Sequence, residues 1–103
     1  MKKRVADIIM ELLVENNITQ CFAVVGGGAM HLDNALALND NINKVFNHHE
    51  QASAMAAEAY ARISGNMAAV CVTSGPGATN TLTGVMGCWQ DSLPMLVLSG
   101  QVR

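Results

Sequence analysis

The sequence predicts an α/β protein of three layers, α/β/α, around a parallel sheet. Three observations carry that prediction. Short apolar runs alternate with helix-patterned segments along the whole chain. Those runs are almost continuously hydrophobic, as strands buried on both faces are. Each run also stops on glycine, asparagine or serine, residues that make tight turns.

The elements follow in order. "RVADIIMELLVENN" carries Val5, Ile8, Ile9, Leu12 and Leu13, the stripe of an amphipathic helix, and Asn16-Asn17 ends it. "QCFAVV", 20–25, is a short apolar run closed by Gly26-Gly27-Gly28 and reads as a buried strand. "MHLDNALAL", 30–38, is a short helix and "INKVFN", 42–47, a second strand. "EQASAMAAEAYARIS", 50–64, is rich in alanine, pairs Glu58 with Arg62 at helical spacing and stops at Gly65. "MAAVCVT", 67–73, is a third strand, "ATNTLTGVMGCWQ", 78–90, a helix tolerating two glycines, and "PMLVLS", 94–99, a fourth strand. Trp89 is expected to pack at a helix end. The alternation is Rossmann-like, and a parallel strand at the end of the chain predicts that the natural sheet is cut short at its C-terminal side.

Composition bounds the function classes. The 103 residues suit one small domain, burying roughly 60–65% of its unfolded surface. Half the residues are hydrophobic and 14% are charged, which excludes disorder. A net charge of −2 provides no basic footprint for nucleic acid. Asp7 and Glu11 interrupt the N-terminal apolar stretch, so it does not read as a secretory signal, and no run reaches membrane-spanning length. Cys21, Cys71 and Cys88 are odd in number and lack C-x-x-C spacing, which suits a reducing cytoplasm.

Ligands of an open parallel sheet bind beyond the carboxyl ends of its strands. Here those ends carry Gly26-Gly27-Gly28, Asn47-His48-His49-Glu50, Ser74-Gly75-Pro76-Gly77 and Ser99-Gly100-Gln101. Parallel pairing brings all four loops to one edge. Taken singly, the glycines also read as plain turn residues, and Glu50 as an acid favoured at a helix N-terminus. "GGGAMH" and "GPGATN" lack the third glycine of a dinucleotide fingerprint, and neither is a P-loop. Adjacent His48 and His49 point opposite ways at a strand end and do not form a metal pair.

"CFAVVGGGAM", "HHEQASAMAAEAYARISG", "VTSGPGATNTLTGV" and "DSLPMLVLSGQ" together resemble the N-terminal pyrimidine-binding domain of thiamine-diphosphate enzymes, most nearly the acetolactate synthase large subunit. The resemblance covers nearly the whole chain, 1–103, as a partial domain. It implies that Glu50 hydrogen-bonds N1′ of the cofactor's aminopyrimidine, favouring the imino form whose 4′-nitrogen takes a proton from the thiazolium carbon. It implies that Pro76, Gly77 and Asn80 lie beside that ring, that Gly26 and Gly27 flank the active-site entrance, and that Gln101 closes the family's "GQ" ending. The implied reaction decarboxylates a 2-keto acid such as pyruvate and ligates the product, in branched-chain amino-acid biosynthesis.

The same resemblance implies that Mg²⁺ and the diphosphate are held by a domain absent from this chain, on another subunit of a homo-oligomer. FAD enters only in a full-length context. The 103 residues alone are expected to be inactive, and open to self-association through an uncovered sheet edge. Two alternatives stand beside this reading: a non-catalytic fragment that only associates with other subunits, and a small Rossmann-type nucleotide-binding module. Departures from the family pattern at Val25, His31, Asp33, Asn34 and His48 bear on the substrate.

Overall fold

A computed structural model describes residues 2–102. Helix α1 spans Val5–Glu15, strand β1 Gln20–Ala23, helix α2 Met30–Leu38, strand β2 Asn43–Phe46 and helix α3 Glu50–Ser64. Strand β3 follows at Ala69–Val72, then α4 at Pro76–Thr79, α5 at Leu82–Gln90 and strand β4 at Leu96–Ser99. A single 3-10 turn, Gly27–Ala29, leads into α2. All neighbouring strands are parallel, in the order β2-β1-β3-β4.

The layers follow from side-chain alternation on the strands. Cys21, Ala23, Ala69 and Cys71 face α1 and α2 and pack with Met10, Leu13, Ala35 and Leu36. Phe22, Val70 and Val72 face the opposite side, where Ala57 and Tyr60 of α3 cover them. Every residue of β3 is buried, as a central strand covered on both faces must be. Helices α3 and α5 meet closely because Gly84 carries no side chain: a Cβ there would lie 2.6 Å from Ala54 Cβ. Gly65, at φ 74°, provides the left-handed cap of α3.

Four expectations change. The stripe on α1 is rotated: Ala6, Met10 and Leu13 are buried, whereas Val5 and Leu12 are 72% and 50% exposed. The strands are shorter than the apolar runs, and β2 is largely exposed because it lies at the sheet edge. The helix expected over 78–90 is two helices. Pro76 starts α4 two residues earlier, and Thr81 Oγ1 donates to the carbonyl of Ala78 at 2.6 Å, a local bond that competes with helix propagation. Trp89 does not pack at the helix end; it is 82% exposed.

Candidate functional site

The chain winds outward from β1 to β2, then returns through α3 to β3 on the other side of β1. The loops that follow β1 and β3 therefore diverge, and such a reversal opens a crevice at the carboxyl ends of the strands. One wall is the Gly26–Gly28 loop. The Gly26 amide donates to Asp33 Oδ2 at 3.1 Å, and the Gly28 amide donates to Thr73 Oγ1 at 3.1 Å.

The other wall runs from Thr73 to Asn80. Gly75 has φ 67° and ψ −124°, a conformation that only glycine adopts readily, and it turns the chain out of β3 into α4. Pro76 opens that helix on the exposed side, and Gly77 is buried behind it.

Glu50 reaches into this wall from α3. It is the first residue of that helix, and the ring of His49 caps the helix by accepting the Gln51 amide at 3.0 Å through Nδ1. Asn80 Nδ2 donates to Glu50 Oε1 at 3.1 Å. The second oxygen, Oε2, lies 3.3 Å from where a Gly77 Cβ would be, and among the described residues it accepts no hydrogen bond. The missing side chain at Gly77 thus leaves one carboxylate oxygen free beside bare backbone.

The structure brings Glu50, Gly77 and Asn80 into direct contact, and sets Gly26 across Thr73 from Gly77. Gly27 is exposed, with no atom near its Cβ position. Gln101 is not joined to Glu50. It lines a separate depression of about 370 Å³ with Gly27, Gly28, His31, Ser99 and Gly100, on the α2 side of the glycine loop. Gly100 packs directly on the Gly28 backbone, and its amide donates to the Val72 carbonyl at 2.8 Å.

Two residues of the crevice were not read from the sequence as parts of its walls. Thr73 reads as the last residue of a strand, and Asp33 as a helix residue at a departure from the family pattern. Burial pushes the Asp33 carboxyl above its ordinary value, with the Gly26 amide acting the other way. Burial also pushes the Cys21 and Cys71 thiols up to about 12, so both are inert packing groups. Among the described residues no three His, Cys, Asp or Glu side chains are arranged to hold a metal ion.

A half-buried carboxylate with one free oxygen, facing side-chain-free backbone, fits a flat heterocycle with a ring nitrogen to hydrogen-bond. Residues 3–103 match the family model described as thiamine pyrophosphate enzyme, N-terminal TPP binding domain. The chain is 40% identical over 97 residues to the acetolactate synthase isozyme 3 large subunit of Escherichia coli, covering 94% of this chain and 17% of that protein. It is 41% identical over 97 residues to the chloroplastic acetolactate synthase of Arabidopsis thaliana, covering 94% of this chain and 14% of that protein. The fold matches an X-ray structure from Mycobacterium smegmatis, described as a candidate thiamin diphosphate-dependent enzyme, with a TM-score of 0.87 and 20% identity. That match covers 97% of this chain and 19% of the other. The chain thus spans about a sixth of the length of the curated relatives it matches.

Proposed function

Because the chain belongs to the thiamine pyrophosphate enzyme family, matching its N-terminal TPP binding domain, we propose that its glycine-walled crevice receives the aminopyrimidine of thiamine diphosphate. The observation that carries this reading is the Glu50 carboxylate, held by Asn80 through one oxygen and free at the other beside Gly77. Glu50 hydrogen-bonds the ring nitrogen. Asn80 fixes the direction in which the carboxylate points. Pro76 and Gly77 lie beside the ring, and Thr73 fills the space between Gly77 and Gly26. Gly26 and Gly27 flank the entrance, and Gln101 lines the neighbouring depression on the α2 side of the glycine loop.

Bound there, the cofactor would supply a carbon nucleophile and an electron sink for decarboxylation of a 2-keto acid. The chain's own contribution to that chemistry is a carboxyl that shares a proton with the ring nitrogen, worth about 10²–10⁴-fold in typical acid–base catalysis.

In this reading the polypeptide serves an acetolactate-synthase-like enzyme acting on pyruvate in branched-chain amino-acid synthesis, in the cytoplasm, and FAD belongs to other domains of that enzyme. The diphosphate and its Mg²⁺ are held by a diphosphate-binding domain of another subunit in a homo-oligomer. Support for such an assembly comes from α5, where Leu82, Met86 and Trp89, at helical spacing, stand exposed on one side. Support for a reducing compartment comes from the three free, buried cysteines.

The test is a calorimetric titration of the chain with thiamine diphosphate and Mg²⁺, repeated with Glu50→Gln. Weak binding that the substitution lowers further is expected. Binding indifferent to Glu50 would refute the assignment.

A further inference from the structure

We propose that Thr73 is a positioning residue that sets the separation of the two glycine walls before any ligand arrives. One side chain touches three glycines on two loops. A Cβ on Gly26 would lie 2.5 Å from Thr73 Cβ, one on Gly77 would lie 2.6 Å from Thr73 Cγ2, and one on Gly28 would lie 2.8 Å from Thr73 Oγ1. The three glycines are therefore bare where Thr73 fills the space between them.

The hydroxyl also accepts the Gly28 amide at 3.1 Å. Its methyl is the nearest group to the Gly77 position and also lies against Gly26, while its hydroxyl alone ties down the Gly28 amide. A β-branched side chain suits this task because its two arms diverge from a stiff χ1. Asp33 completes the anchoring by accepting the Gly26 amide at 3.1 Å, so the first loop is fastened at both ends. A crevice of fixed width loses less entropy when a rigid ring enters it.

The inference rests on the reading of the crevice as the aminopyrimidine site, but the brace itself is a property of the free chain and is measured there. Thr73→Val keeps the shape and removes the acceptor. Thr73→Ser keeps the acceptor and removes the methyl. Amide hydrogen exchange by NMR separates them.

In Thr73→Val the Gly28 amide is expected to exchange about ten-fold faster, with the Thr79 amide, bonded to the Gly75 carbonyl, unchanged. In Thr73→Ser the opposite is expected: Gly28 unchanged and Thr79 faster. The Gly100 amide, bonded to the Val72 carbonyl, reports that the sheet is intact. Equal exchange at Gly28 in all three proteins overturns the brace, and so does parallel loosening of both walls in either variant.

A second arm titrates each protein with thiamine diphosphate and Mg²⁺, following the Gly26, Gly28 and Gly77 amides. Thr73→Val is expected to raise Kd about ten-fold, with most of the affinity kept in Thr73→Ser. A changed exchange pattern with an unchanged Kd overturns the positioning role. A parent chain whose amides ignore thiamine diphosphate removes the aminopyrimidine reading, while the exchange arm still decides the brace.

Discussion

Asn80 Nδ2 donates to Glu50 Oε1 at 3.1 Å, so the residue that follows α4 holds the first residue of α3. The contact joins two segments thirty residues apart and leaves Glu50 Oε2 facing the gap at Gly77. Glu50→Gln is expected to slow proton exchange at the thiazolium carbon of bound thiamine diphosphate by about 10²–10⁴-fold, measured with a diphosphate-binding partner present. The neutral amide keeps the Asn80 contact but cannot share a proton with the ring. Near-parent exchange would remove Glu50 from its assigned role.

Gly77 and Thr73 are expected to show coupled substitutions. Gly77→Ala places a Cβ 2.6 Å from Thr73 Cγ2 and should cost about 1–3 kcal/mol of stability. Thr73→Ser deletes that methyl. The double variant should recover at least about 0.5 kcal/mol relative to the sum of the single changes, read from urea denaturation. Strict additivity would show that the Thr73 methyl does not fill the space at Gly77.

Gly84 and Gly87 sit one turn apart on α5 yet should respond differently. A Cβ at Gly84 meets Ala54 Cβ at 2.6 Å and the Ala54 backbone carbon at 2.7 Å. Neither can move without parting α3 from α5, so Gly84→Ala should destabilise by about 1–3 kcal/mol. The nearest atoms to a Cβ at Gly87 are those of the Glu58 carboxylate, 2.7 Å away at the end of a flexible side chain. Gly87→Ala should be nearly neutral or stabilising, because alanine gains up to about 1 kcal/mol in helix propensity. Equal unfolding midpoints for the two variants would contradict the close α3–α5 approach.

Asp33 predicts a pH dependence of stability. Its raised pKa, caused chiefly by burial, means that the folded chain binds this proton more tightly than the unfolded chain. The contribution is fully present below the ordinary aspartate value of about 4 and is lost as pH rises through the raised value in the folded chain. Urea midpoints of the parent should carry this falling component above about pH 4. In Asp33→Asn it should vanish. Superimposable pH profiles would exclude Asp33 as its source.

The exposed face of α5 predicts self-association of the isolated chain. Leu82, Met86 and Trp89 are 61%, 55% and 82% exposed and lie on neighbouring turns. Leu82→Lys combined with Trp89→Lys should lower the weight-average mass in light scattering without lowering helix content. Unchanged association would point instead to the sheet edges as the contact.

Much of the architecture was legible because composition and period agree. Apolar runs such as "AVCV" between glycine turns can scarcely be anything but buried parallel strands. The rotation of α1 was not legible. Val5, Ile8 and Leu12 compete with Ala6, Met10 and Leu13 for the core, and both sets are apolar at helical spacing. The break between α4 and α5 depends on one hydroxyl finding a nearby carbonyl, a choice that periodicity does not encode. At the crevice, Glu50 and the glycines stand out by residue type. Thr73 and Asp33 do not, because their surroundings depend on segments far apart in sequence: Thr73 meets the Gly28 amide, and Asp33 meets the Cys71 thiol.

The strand order has a consequence for how the chain is made. β1 lies inside the sheet, yet it is synthesised before both of its neighbours, Asn43–Phe46 and Ala69–Val72. Its pairing with β3 spans the whole of α3. At a ribosomal pace of roughly 5–20 residues per second, Phe22 and Cys21 wait roughly 2 to 10 seconds for that second partner. Such non-local parallel pairing is also slow to form once the residues exist. During that interval the first glycine loop has no Thr73 to hold it, so the crevice closes late, and an apolar strand is open to chaperones or to another nascent chain.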